Sequence, residues 1–112
     1  MDDFENYKLV HSFMHPDNPL KEWINKDNYY NGFSKDWLWL MPVVEKIEST
    51  FDNRPKFNSF RKVIIENNTC WIGDYFGEFT QDQISYFTSD TKIGAVWLAV
   101  VEFIKWYNTQ NQ

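Results

Sequence analysis

Residues 89–108, SDTKIGAVWLAVVEFIKWYN, form the longest apolar-rich run in the chain and carry its clearest helical spacing. At 100° per residue, Val96, Tyr107, Val100, Ile93 and Ile104 fall in one narrow arc. Phe103 and Ala99 widen that arc on one side, Trp97 and Val101 on the other. Only Gly94, Leu98, Glu102 and Lys105 occupy the opposite face. More than half of the circumference is apolar, which is too much for a helix that buries one stripe. The pattern predicts a helix over 90–108 packed on two sides, or on one side plus a partner. Ser89, Asp90 and Thr91 are all able to cap its start. Lys92, Glu102 and Lys105 interrupt the run, and its length falls short of a bilayer, so a membrane span is not expected.

The rest of the chain must cover that helix. At 112 residues, a single domain over 1–112 is expected. Residues 4–14 read as a short helix with Leu9, Val10, Phe13 and Met14 on its apolar edge; Pro16 and Pro19 end it. Residues 35–51 read as a second helix capped by Ser34. Leu40, Val44, Ile47 and Phe51 make its inward stripe, and Leu38 and Trp39 lie off it. Pro42 either kinks this helix or marks its first turn near Met41. Asp52-Asn53-Arg54-Pro55 reads as a turn. Residues 60–66 and 69–75 are rich in Val, Ile, Thr, Trp and Tyr, and read as strands around an Asn67-Asn68 hairpin turn. Gly73 and Gly77 suggest a bend or bulge, and 83–88 reads as a third strand. The fold class that follows is α+β: a small antiparallel sheet (hairpin 60–75 plus a strand over 83–88) packed against helices 4–14, 35–51 and 90–108.

Residues 15–34, HPDNPLKEWINKDNYYNGFS, are the least regular part. Ten Phe, six Trp and six Tyr make the chain 20% aromatic, more rings than so small a core comfortably hides. Rings left outside commonly mark a binding face. The irregular segment is where they are expected, so the predicted partner contacts are Trp23, Tyr29, Tyr30 and Phe33, with Trp39 as a neighbour.

Chemistry-bearing residues are sparse. His11 and His15 stand four apart with Asp17 near, a spacing that can share a metal ion. Pro16 ends the helix there and no third ligand follows, so two ordinary surface histidines are expected and no metal. Glu45 and Glu48, with Glu102 on the last helix, read as solvated carboxylates rather than an acid–base pair. Cys70 lies within a predicted strand and reads as a buried, inert thiol; as the single cysteine it forms no internal disulfide. No phosphate loop, paired-cysteine motif or nucleophile elbow occurs, so no enzyme and no cofactor are expected. Net charge is −5, and the nearest basic cluster, Arg54, Lys56, Arg61 and Lys62, is thin. Direct nucleic-acid binding is therefore not expected, although Trp71, Tyr75 and Phe76 on the hairpin are candidates for stacking on bases. An acidic surface instead suits a basic protein partner. The opening Met-Asp-Asp-Phe-Glu has no secretion-signal pattern, so a cytoplasmic setting is expected.

Two segments, WLWLMPVVEKIES at 37–49 and KIGAVWLAVVEFIKWYN at 92–108, resemble a family of small phage and prophage proteins of Bacteroidetes-type bacteria. KLVHSFM at 8–14 is similar to the opening helix of that family, and VIIENNTCWI fills the expected middle. Residues 15–34 look longer than usual, and the family commonly has Glu where this chain has Gly94. The family carries no agreed activity and implies no site residues. It implies an origin in a mobile genetic element, and with it a non-enzymatic protein that binds and inhibits a host defence component in the bacterial cytoplasm. An anti-CRISPR acting on an RNA-guided, RNA-targeting nuclease is the specific form of that expectation. A nucleic-acid or nucleotide-binding module, or a structural phage protein that dimerises through the last helix, are the alternatives.

Overall fold

The computed structural model describes residues 3–50, 59–76 and 81–110. Three helices and a three-stranded antiparallel sheet follow in the order α1 (Asp3–Met14), a 3-10 turn (Gly32–Ser34), α2 (Trp37–Ser49), β1 (Ser59–Glu66), β2 (Thr69–Phe76), β3 (Gln81–Thr88) and α3 (Lys92–Gln110). The sheet order is β1-β2-β3. The class is α+β, as the alternation of helical and strand patterns implies. The Asp52–Pro55 turn, Phe51 of the predicted α2 stripe and the Gly77 bend lie outside the described residues, as does the Phe76 side chain.

The α3 helix is enclosed on two sides. Ala95, Val96, Trp97, Ala99, Val100, Val101, Phe103 and Ile104 are all buried. One side meets β2 and β3, the other meets α1 and the 3-10 turn, and α2 packs alongside. Its start is set by Thr91, whose hydroxyl accepts from Gly94 N at 3.0 Å while its carbonyl accepts from Ala95 N. The hairpin turn holds the same point: Ser89 N donates to Asn68 O, and Asn68 Nδ2 donates to Asp90 O. Gly94 fits here because a Cβ would lie 2.7 Å from Ser89 Oγ and 2.8 Å from Thr91 Oγ1.

The hairpin turns at Asn67, which has φ 53°, a left-handed conformation that Asn tolerates better than most residues. The inner face of the sheet carries Val63, Ile65, Cys70, Ile72 and Phe87 against the helices. Ser85 joins them by donating to the Ala99 carbonyl at 2.9 Å. A bulge falls between Ile72 and Gly73 in the β2–β3 pairing. Gly73 is required there: a Cβ would sit 2.2 Å from the Asp82 carbonyl oxygen and 2.6 Å from the Trp71 ring.

The predicted Ser34 cap of α2 is corrected. Asp36 is the N-cap, its carboxylate accepting from Leu38 N at 2.9 Å. Ser34 instead closes the 3-10 turn, donating to Asn31 O. That turn uses up the chain before Lys35, so the α-helix begins two residues later than Ser34 would start it. Pro42 lies inside α2, on its exposed side. It removes the bond to Leu38 O, a carbonyl on a residue that faces water.

Candidate partner-binding surface

Residues 23–31 are held by asparagine side chains and by aromatic contacts. Asn28 Oδ1 accepts from Asn25 N at 2.7 Å, Asn25 Oδ1 accepts from Asp27 N at 2.8 Å, and Asn28 Nδ2 donates to Trp23 O at 2.8 Å. These local bonds replace the ladder bonds that the segment lacks. Tyr29 donates its hydroxyl to Asp3 at 2.6 Å and packs its ring on Phe4 and Tyr7. Asn31, buried, donates to the same carboxylate.

The five predicted contact residues therefore separate. Trp23 is 69% exposed, and Tyr30 is also outside. Trp39 is part-exposed. Phe33 is a correction: it is 5% exposed, stacked on Trp97 at 6.4 Å and set against Tyr7 at 5.9 Å. Tyr29 is also turned inward, half-buried against α1. Tyr29 faces α1, and Phe33 faces α1 and α3; both helices need apolar cover on that side, and the irregular segment supplies it.

Trp39, Tyr30 and Leu38 form the patch that remains. The Trp39 ring lies directly over Gly32, where a Cβ would come within 2.3 Å of it. Its edge contacts Phe33 at 5.4 Å and Tyr30 at 5.7 Å, both nearly perpendicular. Lys35 Nζ sits 5.3 Å above the Tyr30 ring. Leu38 is 83% exposed beside them, and Met41 is exposed one turn on. Trp39 is therefore a half-buried ring fixed by a glycine floor and two aromatic walls. The sequence signals for it were the positions of Leu38 and Trp39 off the inward stripe of α2 and the ring of Tyr30 in the irregular segment.

Elsewhere the surface offers less. A shallow groove of about 290 Å³ runs between α1, α3 and β3, lined in part by Asn6, Phe87, Leu98 and Glu102. On α3, Trp97 and Val101 are buried and Leu98 is exposed. His11 and His15 rings stand 5.0 Å apart. Burial first, and the charge of His15 second, hold the His11 pKa below its ordinary value. Its Nδ1 is buried without a hydrogen-bond partner among the described residues. No group of three or more His, Cys, Asp or Glu able to hold a metal comes together among the described residues. Cys70 is fully buried, and burial pushes its thiol up to about 12. Arg61, thinly clustered in sequence, turns inward instead: its guanidinium pairs with Asp74 at 2.8 Å, bonds Thr50 Oγ1 at 2.8 Å and lies over Phe103 and Trp106.

No helix among the described residues is long and apolar enough to cross a membrane. No protein-family model, curated protein or solved structure matches the chain.

Proposed function

We propose that the chain is a non-enzymatic binding protein that engages a host protein through the Tyr30–Leu38–Trp39 patch, with Met41 at its margin. The observation that carries this reading is the seating of Trp39 over Gly32, beside an almost fully exposed Leu38. Interface energy concentrates in such pre-ordered aromatic anchors, because their rotamer entropy is already spent before binding. Trp23, at the tip of the asparagine-stabilised segment, is a second contact. A net charge of −5 favours a partner with a basic face.

The resemblance to phage and prophage proteins supplies the class of partner. The target is a host defence component, and an RNA-guided, RNA-targeting nuclease is the specific candidate. The direct test is expression in a bacterium armed with such a nuclease against a targeted phage. The wild-type chain restores plaque formation there. Leu38→Asp and Tyr30→Ala keep the circular dichroism spectrum of the wild type and lose that protection. A single anchor of this kind commonly contributes about 2 kcal/mol or more, roughly 30-fold in affinity. Failure of the wild-type chain to protect overturns the anti-nuclease reading. Full protection by both variants overturns the patch.

A further inference from the structure

The outer face of the sheet points to a second interaction surface. Strand alternation puts Lys62, Ile64 and Glu66 of β1, Thr69, Trp71 and Gly73 of β2, and Gln83, Tyr86 and Thr88 of β3 away from the helices. The registers order them in three cross-strand rows. The middle row is Ile64–Trp71–Tyr86. One flanking row is Lys62–Gly73–Gln83, and the other is Glu66–Thr69–Thr88. Ile64 and Trp71 stand outside the core cluster that holds their inward neighbours, and Tyr86 is 50% exposed. The Trp71 ring lies against Gly73 and meets Tyr75 at 5.5 Å.

We propose that this face docks on the same face of a second copy of the chain, with the two-fold axis running along the Ile64–Trp71–Tyr86 row. The charges on this face select that occupant. An axis along the middle row exchanges the two flanking rows. It therefore sets Lys62 of each copy against Glu66 of the other, and Gln83 against Thr88, while apolar residues meet apolar residues at the centre. Opposite charges placed symmetrically about an apolar row are what an isologous interface requires. A polyanion is the poorer occupant, because Glu66 lies on the same face as Lys62 and no basic row accompanies the rings.

Three strands of eight residues offer a face of about 26 by 14 Å per copy, which is under the ~1,200 Å² of total burial usual for stable complexes. The dimer is therefore reversible, forming towards ~1 mM and dissociating below ~10 µM. It leaves Tyr30, Leu38 and Trp39 free, since they belong to the helical layer, and it stands independently of the function proposed above.

Charge reversal at two exposed positions tests the arrangement by sedimentation equilibrium from about 10 µM to 1 mM. Lys62→Glu alone places glutamates against each other at both ends, and Glu66→Lys alone places lysines there. Each single variant is expected to lose dimer at least tenfold. An equimolar mixture of the two restores both ion pairs, and so does the double variant Lys62→Glu/Glu66→Lys. Far-ultraviolet circular dichroism checks that each variant folds. A wild-type chain that stays monomeric at 1 mM overturns the proposal. So does a mixture that fails to recover the dimer, or single variants that dimerise like wild type. Binding of a single-stranded RNA decamer that Tyr86→Lys strengthens and 0.3 M salt abolishes also overturns it, because the face then serves a nucleic acid.

Discussion

Gly73 sits where a methyl group has no room, with the Asp82 carbonyl on one side and the Trp71 ring on the other. The backbone oxygen belongs to the bulged β3 partner and cannot swing aside as a side chain does. Gly73→Ala is therefore expected to lose about 1–3 kcal/mol in urea denaturation, through strain in the β2–β3 pairing rather than through any lost contact. His11 makes a pH-dependent contribution at the same scale. Its folded pKa is lowered, by burial first and by His15 second, so the folded state holds the imidazole neutral where the unfolded chain takes up a proton. Stability from this residue is complete above the unfolded value of about 6.5 and declines as the pH falls below it towards the folded value. Urea midpoints at pH 7.5 and pH 5 measure this: His11→Leu is expected to show a smaller drop than wild type across that interval. Neither effect was readable beforehand. The sequence marks Gly73 as a bend and His11 as a surface residue, and only the approach of β3 and the fold of α1 on its neighbours reveal what each atom touches.

Among the elements, α2 is the one that carries a local conflict. Pro42 withholds a hydrogen bond from Leu38 O in the middle of a 13-residue helix. The helix persists because Leu40, Val43, Val44 and Ile47 are fully or almost fully buried on its inner side and Asp36 caps its start. The C-terminal end is tied as well, since Lys46 donates to Phe13 O and lies over the Phe13 ring. Pro42→Ala restores the missing bond on an exposed face and is expected to stabilise the fold by about 1 kcal/mol in thermal unfolding, less the unfolded-state entropy that proline removes. The helix was legible from its 3.6-residue spacing, which reports directly on which face is buried, and both hairpin strands from their β-branched and aromatic residues around Asn67-Asn68. The exact start of α2 was not. Ser34 and Asp36 are both good capping types, and the choice fell to the 3-10 turn at Gly32–Ser34. The irregular segment shows the same limit: its aromatic richness was plain, but which rings turn inward depends on where α1 and α3 leave apolar surface to cover.

At the scale of the molecule, α3 is the common wall of two packing interfaces, with the sheet on one side and α1 on the other. Phe103 belongs to the first of these and touches Trp106, Tyr107 and the Arg61 guanidinium. Removing its ring leaves a cavity beneath a buried ion pair. Phe103→Ala is expected to lose about 3–5 kcal/mol, a large share of the ~5–15 kcal/mol that domains of this size possess. Loss of the cooperative near-ultraviolet transition at 37 °C is the measurement. Exposed rings lie in both layers: Tyr30 and Trp39 sit with the helices, and Tyr86 sits on the outer face of the sheet beside the part-buried Trp71.

The sequence by itself determined the class of the fold, the central place of residues 89–108 and the need to cover that helix beyond a single stripe, by the chain or by a partner. Those follow from helical spacing and from strand-forming composition, and both are local properties that need no knowledge of neighbours. Tertiary structure alone decided which cover was used, and so which aromatic rings remained outside. Tyr29 was drawn in against α1 and Phe33 against α1 and α3, Trp39 was held over Gly32, and Trp71 was set against Gly73. The physical reason is that burial is settled by contacts between segments distant in the chain, and composition counts the rings without saying which of them the core has room for.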